Sequence, residues 1–187
     1  MSLSVLDVFV LSMLDRGAKS AYDLRRRAGI SLGASTPSLR RLVKNKLVTL
    51  EKDRSPTNHR RNSVELTAAG REQARKGWKS WLVDNSGVTD LDSLLRIADM
   101  ASQYGADPYR IKKFLKSAGE TKLLMADSAK GTARALPHSG KLIYGKMRSR
   151  CDENRLRAEA DALFQIASDI KRPQGVARGQ QWLIPPS

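Results

Sequence analysis

The sequence predicts a mainly α-helical fold with one small β-hairpin. Apolar residues recur every three or four positions through most of the 187-residue chain, which is the spacing of helix faces. Two short runs at 48–51 and 62–67 instead alternate apolar and polar side chains, as β-strands do. The stretch between them is rich in Ser, Pro, Asn and Asp and is typical of a turn.

The first predicted helix, from about Leu3 to Leu14, is apolar nearly all round. Such a helix is buried on more than one side, so it needs its own domain on one side and a second domain or a second subunit on the other. A second helix is predicted from Ser20, a good N-cap, to Ala28. Three arginines at its end, 25–27, suit the helix dipole and phosphate contact equally well.

The next elements set the fold class of the N-terminal part. Residues 29–34 are predicted to connect to a third helix, from about Ser35 to Lys46, and the hairpin follows. Thr67 then caps a fourth helix over 68–82. Three helices, a hairpin and a further helix are the layout of a winged helix-turn-helix domain, in which a recognition helix enters the DNA major groove.

The remainder is predicted to be helical. Asp107-Pro108 is a typical helix start. The predicted segments are helices near 91–101, 109–115 and 120–125, a loop at 131–140 and a long helix at about 141–170. We therefore expect a winged-helix domain at 1–82, a helical dimerisation domain at 88–170 and a flexible tail at 171–187.

Charge is concentrated in the first part of the chain. The formal net charge is +15; residues 1–79 carry 17 basic and 7 acidic side chains, a net of +10, and the remainder a net of +5. This excess favours a polyanionic partner on the N-terminal part. The amino-terminal apolar run is interrupted by Asp7 and too short to span a bilayer, so we expect a cytoplasmic protein without a membrane partner.

Residues for catalysis or metal binding are scarce. The two histidines, His59 and His138, are far apart in sequence, and the single cysteine excludes an intrachain disulfide or a thiolate cluster within one chain. We find no paired carboxylates, nucleophile motif, P-loop or dinucleotide fingerprint. The expectation is a protein that is not an enzyme and has no cofactor or metal.

Two stretches, TPSLRRLVKNKLV at 36–48 and HRRNSVELTAAGRE at 59–72, resemble the PadR family of bacterial transcriptional regulators. Matching positions are Pro37, Leu39, Leu42, Leu47 and Val48 in the recognition helix, and Arg60, Arg61, Leu66, Thr67 and Gly70 around the wing. Departures are Thr36 for the usual tyrosine, Lys46 for the usual glycine and Asn62-Ser63-Val64 for an aromatic strand. The resemblance covers about 3–80 and implies a DNA-binding regulator whose helical C-terminal part dimerises.

Helical spacing orients the third helix. With Leu39 at zero, Leu42 and Val43 fall within about 60° and face the core. Pro37, Arg41 and Lys44 fall on the opposite side, and Arg40 lies on the flank. We expect the start of the helix, Ser35, Thr36, Pro37 and Ser38, to reach base edges, and Arg40, Arg41 and Lys44 to reach phosphates or a guanine.

The wing is the second predicted contact. It carries Arg54, Asn58, His59, Arg60 and Arg61 within eight residues. A loop this basic suits the phosphate backbone or the minor groove, although a solvated hairpin tip has the same composition.

These observations predict a DNA-binding transcriptional regulator, a dimeric repressor of a pseudo-palindromic operator, with a small-molecule effector between its domains near Trp78 and Trp81 as a further option. The alternative is an accessory or architectural nucleic-acid-binding protein of the plasmid or phage replication or partition type. A second nucleic-acid-binding surface, as such a protein could have, is suggested by a cluster of four arginines: Arg148, Arg150, Arg155 and Arg157. A third option is a winged helix that has lost DNA binding and contacts proteins.

Overall fold

The computed structural model describes residues 3–52, 62–84, 87–136 and 143–170. Within them the chain forms α1 (Val5–Asp15), α2 (Ala21–Ala28), α3 (Leu32–Lys44), β1 (Val48–Lys52), β2 (Asn62–Leu66), α4 (Ala68–Lys76), α5 (Lys79–Val83), α6 (Leu91–Gln103), α7 (Pro108–Ala135) and α8 (Ile143–Asp169). The predicted fold class is confirmed: a winged helix followed by a helical C-terminal part. The predicted tail at 171–187 lies outside the described residues.

Side-chain caps start the helices of the winged part. Ser20 Oγ accepts a hydrogen bond from the Asp23 amide at 3.1 Å, and Thr67 Oγ1 accepts one from the Gly70 amide at 3.1 Å, as their predicted capping roles require. The predicted fourth helix divides into α4 and α5 at a turn that buries Trp78.

The wing sheet consists of β1 and β2 in antiparallel register, with Val48 opposite Leu66 and Leu50 opposite Val64. The outer edge of β2 is also engaged, because the Val64 amide donates to the Lys19 carbonyl at 2.8 Å. Val48 and Val64 are buried, whereas Leu50 is half exposed. The two described strands are thus anchored to the core through Val48 and Val64.

Helix α1 is the centre of the fold. It contacts α2, α3, α4 and β2 in the winged part and α6 in the C-terminal part. The prediction left open whether a second domain or a second subunit covers its other side, and in this chain α6 does so. At the end of α1, Tyr104 Oη donates to Asp15 Oδ2 at 3.1 Å and Arg16 pairs with Asp99, so polar contacts reinforce the apolar packing.

Helices α7 and α8 form an antiparallel helical hairpin. Ala160, Leu163 and Ala167 lie three and four residues apart and are fully buried, so they form the packing face of the last helix. The predicted break within 109–125 and loop from 131 are wrong, because α7 continues for 28 residues to Ala135. Its glycines, 119 and 131, each cost about 1 kcal/mol in helix propensity, and packing of α7 against α8 offsets that cost.

Helix α3 begins at Leu32, earlier than the predicted Ser35, because Ser31 caps it: Ser31 Oγ accepts from the Ala34 amide at 3.2 Å. It ends at Lys44, and Lys46 then adopts a left-handed conformation with φ 57°. This is the position where the PadR family usually has glycine, and glycine is the residue that this conformation favours. The earlier start adds Leu32, Gly33 and Ala34 to the helix.

Candidate nucleic-acid interface

The connection between α2 and α3 has helix-turn-helix geometry. Helix α2 ends at Gly29 in the left-handed conformation (φ 65°), and the Gly29 amide donates to the Arg25 carbonyl at 3.0 Å. Ile30, 2% exposed, then anchors the turn in the core. The turn places α3 across α2 with one side of α3 against the core and the other in solvent.

The inner face of α3 agrees with the helical-spacing prediction. Leu42 is fully buried, Leu39 is nearly so, and Val43 is half buried. The outer face consists of positions three or four apart, which makes it a continuous surface on the helix. Its members are Gly33, Thr36, Pro37, Arg40 and Lys44, all exposed.

Pro37 lies inside α3 and on this outer face. Proline has no N–H, so the carbonyl of Gly33 lacks the helical donor that the residue at i+4 normally supplies. The proline ring lies towards that carbonyl, beside the exposed Thr36 side chain.

Two predicted base-reading residues are not on this surface. Ser35 and Ser38 are each 0% exposed. Ser35 Oγ donates to the Leu32 carbonyl at 3.5 Å, and Ser38 Oγ donates to Asp7 Oδ1 at 2.6 Å. The prediction that both reach base edges from a free first turn is wrong. Helix α3 starts at Leu32, so both lie within it, and 100° per residue places them about 40° and 100° from Leu39, on the buried side.

The Arg41 side chain is half exposed and forms an ion pair with Asp7. Arg41 Nη2 lies 2.7 Å from Asp7 Oδ1 and Arg41 Nε lies 3.3 Å from Asp7 Oδ2. The Asp7 carboxylate also accepts from Ser4 Oγ at 2.8 Å and is 3% exposed as a residue. Burial raises the pKa of Asp7, but the hydrogen bonds from Arg41, Ser38 and Ser4 outweigh it, so the pKa lies below its ordinary value.

Asp7 is a residue whose role the sequence reading missed, because it registered only as an interruption of an apolar run. Two signals were present. Ser4 and Asp7 have the spacing of a capping box, which the structure forms. A carboxylate in a helix that is buried all round must also find a partner, since an unpaired buried charge is strongly unfavourable.

The other cations near α3 differ in their engagement. Arg27 Nη1 donates to the Arg16 carbonyl at 3.3 Å, and Arg26 pairs loosely with Asp23 at 3.9 Å. In the part of the chain that the structure describes, Arg40 and Lys44 have no hydrogen-bond or ion-pair partner. Their charges are therefore available to an external anion.

The predicted wing contacts Arg54, Asn58, His59, Arg60 and Arg61 lie outside the described residues. β1 ends at Lys52 and β2 begins at Asn62, so the two strands lead to and from this segment. The wing contacts remain a prediction.

The C-terminal arginines are partly neutralised. Arg157 pairs with Asp127 at 2.7 Å and with Glu153 at 3.3 Å, which raises the pKa of Arg157. Arg155 pairs with Asp152 at 3.2 Å. Two of the four arginines proposed for a second nucleic-acid surface are thus held by carboxylates of their own helical hairpin.

Within the described residues, no three or more His, Cys, Asp and Glu side chains are grouped so as to hold a metal ion. None of the described helices combines the length and apolar character needed to cross a bilayer. An open cleft of about 460 Å³ is lined by Leu3, Val8, Leu47 and Trp81 and lies within the winged part, not between it and α6–α8.

Comparison with known proteins gave one kind of match. No protein-family model and no curated protein sequence matches the chain. The structure is similar to that of Bacillus subtilis PadR, solved in complex with operator DNA. The two chains have 16% sequence identity and a TM-score of 0.36, and the match covers 90% of this chain and 100% of the PadR chain. The sequence motifs at 36–48 and 59–72 resemble the same family.

Proposed function

We propose that this chain is a DNA-binding transcriptional regulator that acts as a cytoplasmic homodimeric repressor. The observation that carries the proposal is the outer face of α3. Arg40 and Lys44 lie there, exposed and without an internal partner, beside Thr36 and Pro37. An unpaired basic face on the second helix of a helix-turn-helix is the feature that enters a major groove.

The proposed contacts divide between reading and positioning. The Thr36 methyl group and the Pro37 ring can pack on a thymine methyl, and the Thr36 hydroxyl can bond to a base edge. Arg40 reaches a guanine or a phosphate, and Lys44, one turn further along, reaches a phosphate. The wing residues add contacts to the backbone or the minor groove, which fix position more than sequence.

The dimer is proposed from the α7–α8 hairpin. Leu124 is 72% exposed, Tyr144 74%, Met147 60% and Ile143 55%. Large exposed apolar side chains on one helical hairpin suit a self-complementary interface with a second copy. Such a dimer would present two copies of α3 to a pseudo-palindromic operator with half-sites about one helical turn, roughly 34 Å, apart.

An effector held between the winged part and α6–α8 is a proposal that rests on the resemblance alone. Trp78 is 3% exposed and packs in the core, and Trp81 lines the cleft inside the winged part. A change in tryptophan fluorescence during titration with candidate small molecules, lost in Trp81→Phe, would support an effector near Trp81.

The test of DNA binding compares two pairs of substitutions that each remove two exposed cations. Arg40→Ala with Lys44→Ala alters α3, and Arg110→Ala with Lys113→Ala alters α7, where both residues are also exposed. Fragments selected from the source genome would be titrated in a mobility-shift assay at several salt concentrations. We expect the α3 pair to abolish specific binding while size-exclusion chromatography shows an unchanged dimer, and the α7 pair to retain it. Equal binding by both pairs would refute the assignment of α3.

The accessory nucleic-acid protein remains a second candidate because of one observation. Arg110, Lys113 and Lys116 are exposed on α7, and within the described part of the chain they form no ion pair. If this surface is the main one, the α7 pair of substitutions will weaken binding most. The ratio of specific to nonspecific affinity will then be close to one.

A further inference from the structure

We propose that Asp7 and Arg41 form a positioning pair that fixes α3 on α1, so that Arg41 orients the recognition helix and does not itself contact DNA. The inference rests on the proposed function, since it assigns roles within the DNA-reading helix. It separates two neighbouring arginines that the sequence treats alike.

The contact between Arg41 and Asp7 is a bidentate ion pair. Two nitrogens of Arg41 meet both oxygens of the Asp7 carboxylate, at 2.7 and 3.3 Å. Such two-point pairing fixes direction as well as distance. Ser38 lies one turn before Arg41 and donates to the same carboxylate at 2.6 Å. Since residues three apart lie on one side of a helix, α3 holds Asp7 at two successive levels.

This arrangement restrains the helix in two ways. Rotation of α3 about its own axis would move Ser38 and Arg41 away from Asp7 together. Sliding along the axis would lengthen one contact or the other. The carboxylate itself cannot follow, because the Ser4 hydroxyl and amide hold it in the capping box at the start of α1.

Charge and burial explain why Arg41 stays with Asp7 when DNA is present. Asp7 is 3% exposed, and transferring Arg41 to a phosphate would leave a buried carboxylate without its cation, which is strongly unfavourable. Arg40 points about 100° away from Arg41 around the helix. It has no partner within the described residues, so the anion-contacting role belongs to Arg40.

The experiment compares Arg40→Ala, Arg41→Ala, Arg41→Lys and Asp7→Asn in DNA titrations over a range of salt, using specific and nonspecific duplexes. The slope of log affinity against log salt counts phosphate contacts, about 0.9 per contact. We expect Arg40→Ala to reduce the slope by about this amount, because Arg40 contacts a phosphate, and Arg41→Ala to leave the slope unchanged.

Specificity supplies the second readout. We expect Arg41→Ala and Asp7→Asn to lower the ratio of specific to nonspecific affinity about tenfold, the scale of one mismatched base pair. Arg41→Lys should lower it too, because a lysine ammonium cannot pair with both oxygens in the fork geometry. Asp7→Asn is the decisive variant, since it leaves every cation in place and no phosphate contact is lost with it. Circular dichroism at the assay temperature confirms that each variant is folded.

Two results would overturn the inference: a slope that falls as much in Arg41→Ala as in Arg40→Ala, or a wild-type specificity ratio in Asp7→Asn. A double-mutant cycle of Asp7→Asn and Arg41→Ala in urea unfolding tests the pair without DNA, and additive losses would also overturn it. If the cycle is non-additive but the wild-type protein binds no DNA at low salt, the proposed function fails, and with it the role in DNA reading. The Asp7–Arg41 contact would then be a structural contact between α1 and α3 with no role in DNA binding.

Discussion

Replacing Gly70 with alanine should destabilise the winged part severely. A Cβ atom at this position would lie 2.0 Å from the Leu47 carbonyl oxygen, 3.0 Å from the Leu47 carbonyl carbon and 3.1 Å from Leu66 Cδ2. The same Leu47 oxygen accepts hydrogen bonds from the Thr67 amide and the Thr67 hydroxyl, both at 3.1 Å. The obstacle is backbone, and it is held where the hairpin meets α4.

The size of the effect follows from opposing contributions. Alanine in place of glycine favours a helix by about 1 kcal/mol. Overpacking costs about 1–3 kcal/mol, and the upper value applies because the Leu47 carbonyl cannot rotate away. Moving it also weakens two hydrogen bonds of about 0.5–1.5 kcal/mol each. The expected net loss is about 3 kcal/mol, which for a chain of this size lowers Tm by roughly 6–12 °C.

The measurement is urea or thermal unfolding followed by circular dichroism. Gly131→Ala is the matched control, because Gly131 is also helical but nothing lies within 4 Å of a Cβ there. It should raise stability by up to about 1 kcal/mol. A Gly70→Ala variant as stable as the wild type would refute the close contact between Gly70 of α4 and the Leu47 carbonyl, which lies just before β1.

Three further predictions concern stability. Lys46→Gly should stabilise the protein by several tenths of a kcal/mol, up to about 1, in urea unfolding, because it removes left-handed strain at φ 57°; a loss would contradict that strain. Gly119→Ala should lose about 1–3 kcal/mol, because its Cβ would lie 2.7 Å from the Phe164 ring, and a gain like that of Gly131→Ala would argue against the packing of α7 on α8. The pKa of Asp7 is lower in the folded state than its unfolded value of about 3.9. The stabilisation that the ionised carboxylate provides is therefore present above about pH 3.9 and is lost as pH falls through the folded-state pKa. The stability difference between wild type and Asp7→Asn should therefore shrink between pH 5 and more acidic solution, and a constant difference would contradict it.

Local signals in the sequence predicted most of the winged part. Ser20 and Thr67 cap their helices through contacts within three residues, so spacing alone reveals them. The inward side of α3 followed from Leu39 and Leu42. The predicted start of α3 at Ser35 was wrong because Ser31, within the predicted connection at 29–34, already caps the helix.

Contacts between distant residues were beyond the reach of sequence spacing. Asp7 and Arg41 are 34 positions apart, and nothing local indicates that they meet. The predicted gap between the helices at 109–115 and 120–125 includes Gly119, yet Gly119 lies inside a continuous helix where it makes room for Phe164 of α8. In both cases a residue that weakens the local pattern is explained by a partner from another helix.

The position of α1 has a mechanical consequence. Its first turn holds α3 through Asp7, and its other end holds α6 through Asp15 with Tyr104 and through Arg16 with Asp99. An 11-residue helix is about 16 Å long and does not bend easily over that distance. A displacement of α6 must either break those end contacts or carry α1, and with it the DNA-facing helix, in the same direction. Helix α1 therefore couples the winged part to the C-terminal part mechanically, through polar contacts at both of its ends and through the apolar core that the two parts share.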